Sequence, residues 1–205
     1  MLFHMKKISG PLLAPLGRKF KRIPANVITT LSLLACIAGA ISAMVHSVPW
    51  LIVSLFLVEF FDQLDGVVAR FQGTTKFGAF WDSTLDRYGD AVLFIGLMLG
   101  NYTTPLIAML GLVGAFLTSY TRARIEEVGK DTGIKSMYGV GLFERTDRIP
   151  LLFLGAIVQL WVPSALEWTM VVMVIVTHFT ALQRIWFART HLSHEKEIIP
   201  IEQED

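Results

Sequence analysis

The run Asp62-Gln63-Leu64-Asp65-Gly66-Val67-Val68-Ala69-Arg70, followed by Gly78-Ala79-Phe80-Trp81-Asp82-Ser83-Thr84-Leu85-Asp86, decides how this chain is read. Its four aspartates sit at the ends of two apolar stretches of membrane-spanning character. A carboxylate there is costly, so each one marks a functional site by default. On a helix, residues three and four apart share a face, which lines up Asp62, Asp65, Gly66 and Ala69. The same spacing stacks Gly78, Asp82 and Asp86 on the next helix. Two such helices facing each other bring four carboxylates into one small volume, and that charge calls for cations. Oxygen ligands of this kind suit Mg²⁺ or Mn²⁺. The alternative, two ordinary helices with solvated carboxylates at their ends, leaves the intramembrane charge without a purpose.

The chain of 205 residues is the length of one domain. It is 53% hydrophobic with a mean hydropathy of +0.55, the composition of an integral membrane protein. Apolar segments near 27–46, 49–69, 83–100, 105–121, 149–162 and 165–183 predict an all-α membrane protein with six transmembrane helices. The connections at 46–49, 101–105 and 161–164 carry no Lys or Arg. All eighteen basic residues fall between Lys6 and Arg22, Arg70 and Arg87, Arg122 and Arg148, or Arg184 and Lys196. By the positive-inside rule both termini and the acidic cluster face the cytoplasm of a multi-pass cell-membrane protein.

Residues 1–23 have no apolar core of signal-peptide length. Leu12, Leu13, Leu16 and Phe20 recur at helical spacing beside Arg18, Lys19, Lys21 and Arg22, which predicts an N-terminal amphipathic interfacial helix. A basic tail without structure is the alternative, given Pro11, Pro15 and Gly17. The expected organisation is a cytoplasmic interfacial segment at 1–23, a helical domain at 24–190 and a polar tail at 191–205. Cys36 is the single cysteine, so no internal disulfide forms.

The aspartate run resembles the signature of the CDP-alcohol phosphatidyltransferases, D-x-x-D-G-x-x-A-R…G-x-x-x-D-x-x-x-D, with every fixed position filled. The resemblance implies a metal-dependent transferase in which Asp62, Asp65, Asp82 and Asp86 hold two ions, Mg²⁺ or Mn²⁺. It assigns to Asp86 the further role of base toward the acceptor hydroxyl; by sequence alone Asp82 and Asp86 are equivalent. Pro24-Ala25-Asn26-Val27-Ile28-Thr29 is similar to the family's P-N-x-I-T segment. On that likeness Asn26, Thr29, Gly66, Ala69, Arg70 and Thr75 bind the CDP-lipid. Minimal side chains at Gly66 and Ala69 let a nucleotide approach the backbone, and Arg70 can hold phosphate bidentately. Asp90 and Glu59 flank the same stripe and suit a supporting role better than metal ligation.

Three predicted helix ends aim arginine at one region: Arg122 and Arg124, Glu144-Arg145…Arg148, and Gln183-Arg184. These segments look like those of phosphatidylinositol-phosphate and archaetidylinositol-phosphate synthases, which implies that Arg122, Arg148 and Arg184 bind the acceptor's phosphate. The reaction so implied moves a phosphatidyl or archaetidyl group from CDP-diacylglycerol or CDP-archaeol to 1D-myo-inositol 3-phosphate (L-myo-inositol 1-phosphate), releasing CMP. The resemblance also implies a homodimer; nothing points to nucleic acid. The alternatives are the same chemistry with glycerol 3-phosphate, serine or inositol as acceptor, and, in another class, a divalent-cation transporter. A transporter needs polar groups through the membrane depth, whereas here the outer halves of the predicted spans are nearly uncharged, with only Glu167 on the outer side.

Overall fold

A computed structural model describes residues 13–129, 140–143 and 145–192. The expectations for residues 1–12, for Glu144 and for the tail from residue 193 onward lie outside the described residues. Seven helical segments are described: α1 (13–20), α2 (Ala25–Met44), α3 (Val48–Gln72), α4 (Lys76–Leu99), α5 (Pro105–Val128), α6 (Arg145–Gln159) and α7 (Ala165–Leu192).

Local chemistry sets the boundaries. Pro lies in the first turn of α3 and of α5, where its missing N–H costs nothing. Thr75 and Thr104 cap α4 and α5, accepting from the Gly78 and Ile107 amides at 2.9 and 3.3 Å. Gly73, with φ 91°, takes the left-handed turn that ends α3 and sends the chain into α4.

The all-α expectation holds, but six transmembrane helices do not. Among the described residues three helices are long and apolar enough to cross a membrane: α2, α5 and α7. The apolar stretches of α3 and α4 are interrupted by charges. Glu59, Asp62, Asp65 and Arg70 lie in α3, and Lys76, Asp82, Asp86, Arg87 and Asp90 in α4. Helix α6 has only 15 residues and contains Pro150, short of the ~20 that a hydrocarbon core requires.

The helices pack as two groups. In the first, α2 lies against both α3 and α4; in the second, α5 and α6 lie against α7, with α6 touching α3 and α5 touching α4. The α2–α4 contact is built on small residues, which allow backbones to approach closely where lipid offers no hydrophobic drive. A Cβ on Gly89 would sit 2.8 Å from the Cys36 sulfur, and one on Gly96 would collide with the Ala40 backbone. Cys36 is thus a buried packing residue. Ser32 Oγ donates to the Val58 carbonyl at 3.2 Å, tying α2 to α3.

The predicted amphipathic helix forms at 13–20, with Arg18 and Lys19 exposed. Its apolar side is spent on protein. Leu16 and Phe20 pack on Ile28, Leu64 and Val68, and buried Gly17 fits against Val67 and Phe71 of α3.

Candidate active site

Helices α3 and α4 are joined at the Gly73 turn and both pack on α2, and their acidic residues meet at that end. Asp62, Asp82 and Asp86 converge so that one carboxylate oxygen from each lies within 4.8 Å of the others. All three are half-buried. Arg87 stands 3.5 Å from Asp86, and Glu59 accepts from Gln63 at 2.7 Å. Asp65, one turn beyond Asp62 on the same face, is buried and stands with Asp82 on the wall of an adjoining cleft. Three hard oxygen donors so close together fit a divalent cation and do not fit a soft metal.

The cleft has a volume of about 520 Å³, within the range of small-ligand pockets. Asn26, Thr29, Gly66, Ala69, Arg70 and Thr75, the residues expected to bind the CDP-lipid, all line it. Glycine keeps it open at two places. A Cβ at Gly66 would meet only the Arg70 guanidinium, at 3.7 Å. One at Gly78 would press on Thr75 Oγ1 at 3.0 Å and Asn26 Oδ1 at 3.4 Å, closing the gap between α2 and α4. Pro24 is the N-cap of α2 and no side chain caps it, so Asn26 is not consumed as a helix cap. Thr29 is buried and donates to the Ala25 carbonyl at 3.1 Å, while the Thr75 hydroxyl accepts the capping bond of α4.

The arginines come from the second helix group. Arg148 of α6 is 1% exposed and pairs with Asp90 of α4, which continues the acidic stripe one turn past Asp86. Arg148 also donates to Thr118 Oγ1 at 2.7 Å and to the Ala115 carbonyl at 3.2 Å. Arg184 of α7, likewise buried, donates to the carbonyl of that same Thr118 and to that of Val140 at 3.0 Å. Arg122 follows Thr118 by one turn on α5, is partly exposed, and pairs with Glu126 at 3.2 Å. Two of the three predicted arginines, Arg148 and Arg184, therefore meet at Thr118, and Arg122 lies one turn further along α5. Thr118 itself escaped the sequence reading; its only signal was a hydroxyl in an apolar helix one turn before Arg122.

Taken together, these features define a helical membrane protein with a carboxylate cluster joining a polar cleft to a buried arginine cluster. The profile of the CDP-alcohol phosphatidyltransferase family matches residues 22–179, and the chain belongs to that family. It is 33% identical over 191 residues to the archaetidylinositol phosphate synthase of Methanothermobacter thermautotrophicus, covering 90% of this chain and 92% of that one. Its fold matches the crystal structure of Mycobacterium tuberculosis phosphatidylinositol phosphate synthase with CDP-DAG bound, at a TM-score of 0.77 and 26% identity. That match covers 92% of this chain and all of the other. The same enzyme in complex with manganese and citrate matches at a TM-score of 0.74 and 28% identity, over 86% and 88% of the two chains.

Proposed function

We propose that the protein transfers a phosphatidyl or archaetidyl group from a CDP-linked lipid to inositol 1-phosphate, giving the lipid-linked inositol phosphate and CMP. The observation that carries this reading is Asp82, which stands both in the carboxylate cluster and on the wall of the cleft. A phosphate seated in the cleft is thereby beside the acidic cluster.

Mg²⁺ or Mn²⁺, as two ions held by Asp62, Asp65, Asp82 and Asp86, would supply the charge neutralisation that a pyrophosphate needs. The chain's own residues do the rest. Asn26 and Thr29 orient the nucleotide, Gly66 and Ala69 admit it against α3, and Arg70 and Thr75 hold its phosphates. Arg122, Arg148 and Arg184 hold the acceptor's phosphate. Asp86 accepts the proton of the attacking hydroxyl as that oxygen bonds to the lipid-side phosphorus. The bond from that phosphorus to the bridging oxygen breaks, and CMP leaves with the electron pair. The family likeness favours a homodimer.

The deciding assay measures CMP release from CDP-diacylglycerol and CDP-archaeol with inositol 1-phosphate, glycerol 3-phosphate, serine and inositol as acceptors. Release with inositol 1-phosphate is expected. Arg122→Gln should then raise the KM for that acceptor roughly ten- to hundredfold, the equivalent of one charge-assisted contact. Release with any other acceptor alone would overturn the acceptor and keep the transferase.

The basic residues beside the site favour a multi-pass protein of the cell membrane with this site on the cytoplasmic face. Cysteine placed at exposed Thr74, in a Cys36→Ser background, should react with an impermeant thiol reagent only after cells are opened. Cysteine at exposed Ser164, in the α6–α7 turn, should react on intact cells. The reverse pattern would invert the orientation.

A further inference from the structure

The side chain of Gln72, the last residue of α3, makes three hydrogen bonds to backbone some fifty residues away. Its Nε2 donates to the carbonyls of Lys21 at 2.9 Å and Ile23 at 2.6 Å, and its Oε1 accepts from the Ala25 amide at 3.1 Å. Lys21 and Ile23 belong to the linker between α1 and α2. Ala25 is the first residue of α2, where an amide has no partner within the helix. A single primary amide, offering donor and acceptor together, thus spans the linker end to end. Gln72, Pro24, Ala25 and Asn26 all line the cleft, so these bonds form part of its rim. On the far side of the linker, α1 is seated on α3 through Gly17, Leu16 and Phe20.

We infer that Gln72 is a positioning residue for the CDP-lipid: it clasps the α1–α2 linker onto the end of α3 and so sets Asn26 at the height of the bound nucleotide. It acts through the linker. The inference rests on the cleft being the CDP-lipid site, and it adds that occupancy of the cleft and order of the linker are coupled. Sequence pattern offers no access to it, because a glutamine at a helix end carries no periodic or motif signal.

Gln72→Met keeps the length and volume of the side chain and removes all three bonds. Gln72→Glu keeps an acceptor for Ala25 and loses both donors. The linker contains exposed Lys21 and Arg22, so trypsin reports its order independently of activity. Both variants are expected to be cut there several-fold faster than wild type. CDP-diacylglycerol in detergent micelles should slow cleavage of the wild type and protect the variants less. In CMP release the KM for CDP-diacylglycerol should rise roughly three- to tenfold, with kcat and the KM for inositol 1-phosphate within about twofold of wild type. Unchanged cleavage in both variants would overturn the clasp. Faster cleavage with an unchanged KM for CDP-diacylglycerol would reduce it to a structural tie and overturn the positioning role. A wild type that neither binds nor turns over CDP-diacylglycerol would overturn the proposed function, and this inference with it.

Discussion

Replacing Asp62, Asp82 or Asp86 by Asn is expected to lower CMP release by about a thousandfold or more while leaving the helices folded. The three carboxylates share a space in which one oxygen of each lies within 4.8 Å of the others. Removing one negative charge relieves repulsion among them, so the fold has no reason to fail. The reaction loses a ligand for the cation that would neutralise the pyrophosphate, an effect worth several kcal/mol in transition-state charge. Asp65→Asn belongs to the same series; as a buried residue on the cleft wall it should also weaken the CDP-lipid. Circular dichroism and size-exclusion profiles matching wild type would separate loss of chemistry from loss of fold. Chelation should abolish activity, and Mg²⁺ or Mn²⁺ should restore it. Full activity in all four variants would sink the mechanism.

The second large effect concerns Asp90 and Arg148. Both side chains are almost completely buried, at 3% and 1% exposure, and they pair with each other between α4 and α6. Removing one partner strands the other without its counter-charge, so Asp90→Leu or Arg148→Met alone should destabilise the protein by about 3–5 kcal/mol. The double variant replaces the pair with apolar volume and should recover most of that loss. Reversible unfolding in mixed micelles measures the three variants, and additive losses would contradict the pairing. The double variant should regain stability without regaining affinity for inositol 1-phosphate, because the guanidinium is gone. That split separates the fold's use of Arg148 from the acceptor's.

Much of the carboxylate cluster and of the cleft beside it is legible in the sequence. Helical spacing alone put Asp62 and Asp65 on one face and Asp82 and Asp86 on another, and a short turn with glycine at its start had to bring those faces together. The residues expected around the nucleotide line a single cleft because α3 and α4 both pack on α2 and a short turn joins them. What spacing could not deliver was contact at long range. That Arg148 pairs with Asp90, that Thr118 gathers two arginines, and that Gln72 reaches back to Lys21 and Ile23 depend on how the helices pack. No periodicity encodes that. The span count failed for a different reason. Apolar length predicts a span wherever it recurs, but the carboxylates within α3 and α4 and the shortness of α6 leave only α2, α5 and α7 long and apolar enough among the described residues.

The division of the helices into two groups has a consequence for how such a protein diversifies. The cleft is lined entirely from α2, α3, α4 and their connections, while the arginine cluster is drawn from α5, α6 and α7. On the proposed function, donor chemistry and acceptor choice are thus written in separate stretches of the gene, meeting at Asp90 and Arg148. Drift in the later helices can try new head groups while the earlier ones keep the transfer chemistry intact. A lineage can in this way acquire a new membrane lipid without reinventing the enzyme that makes it.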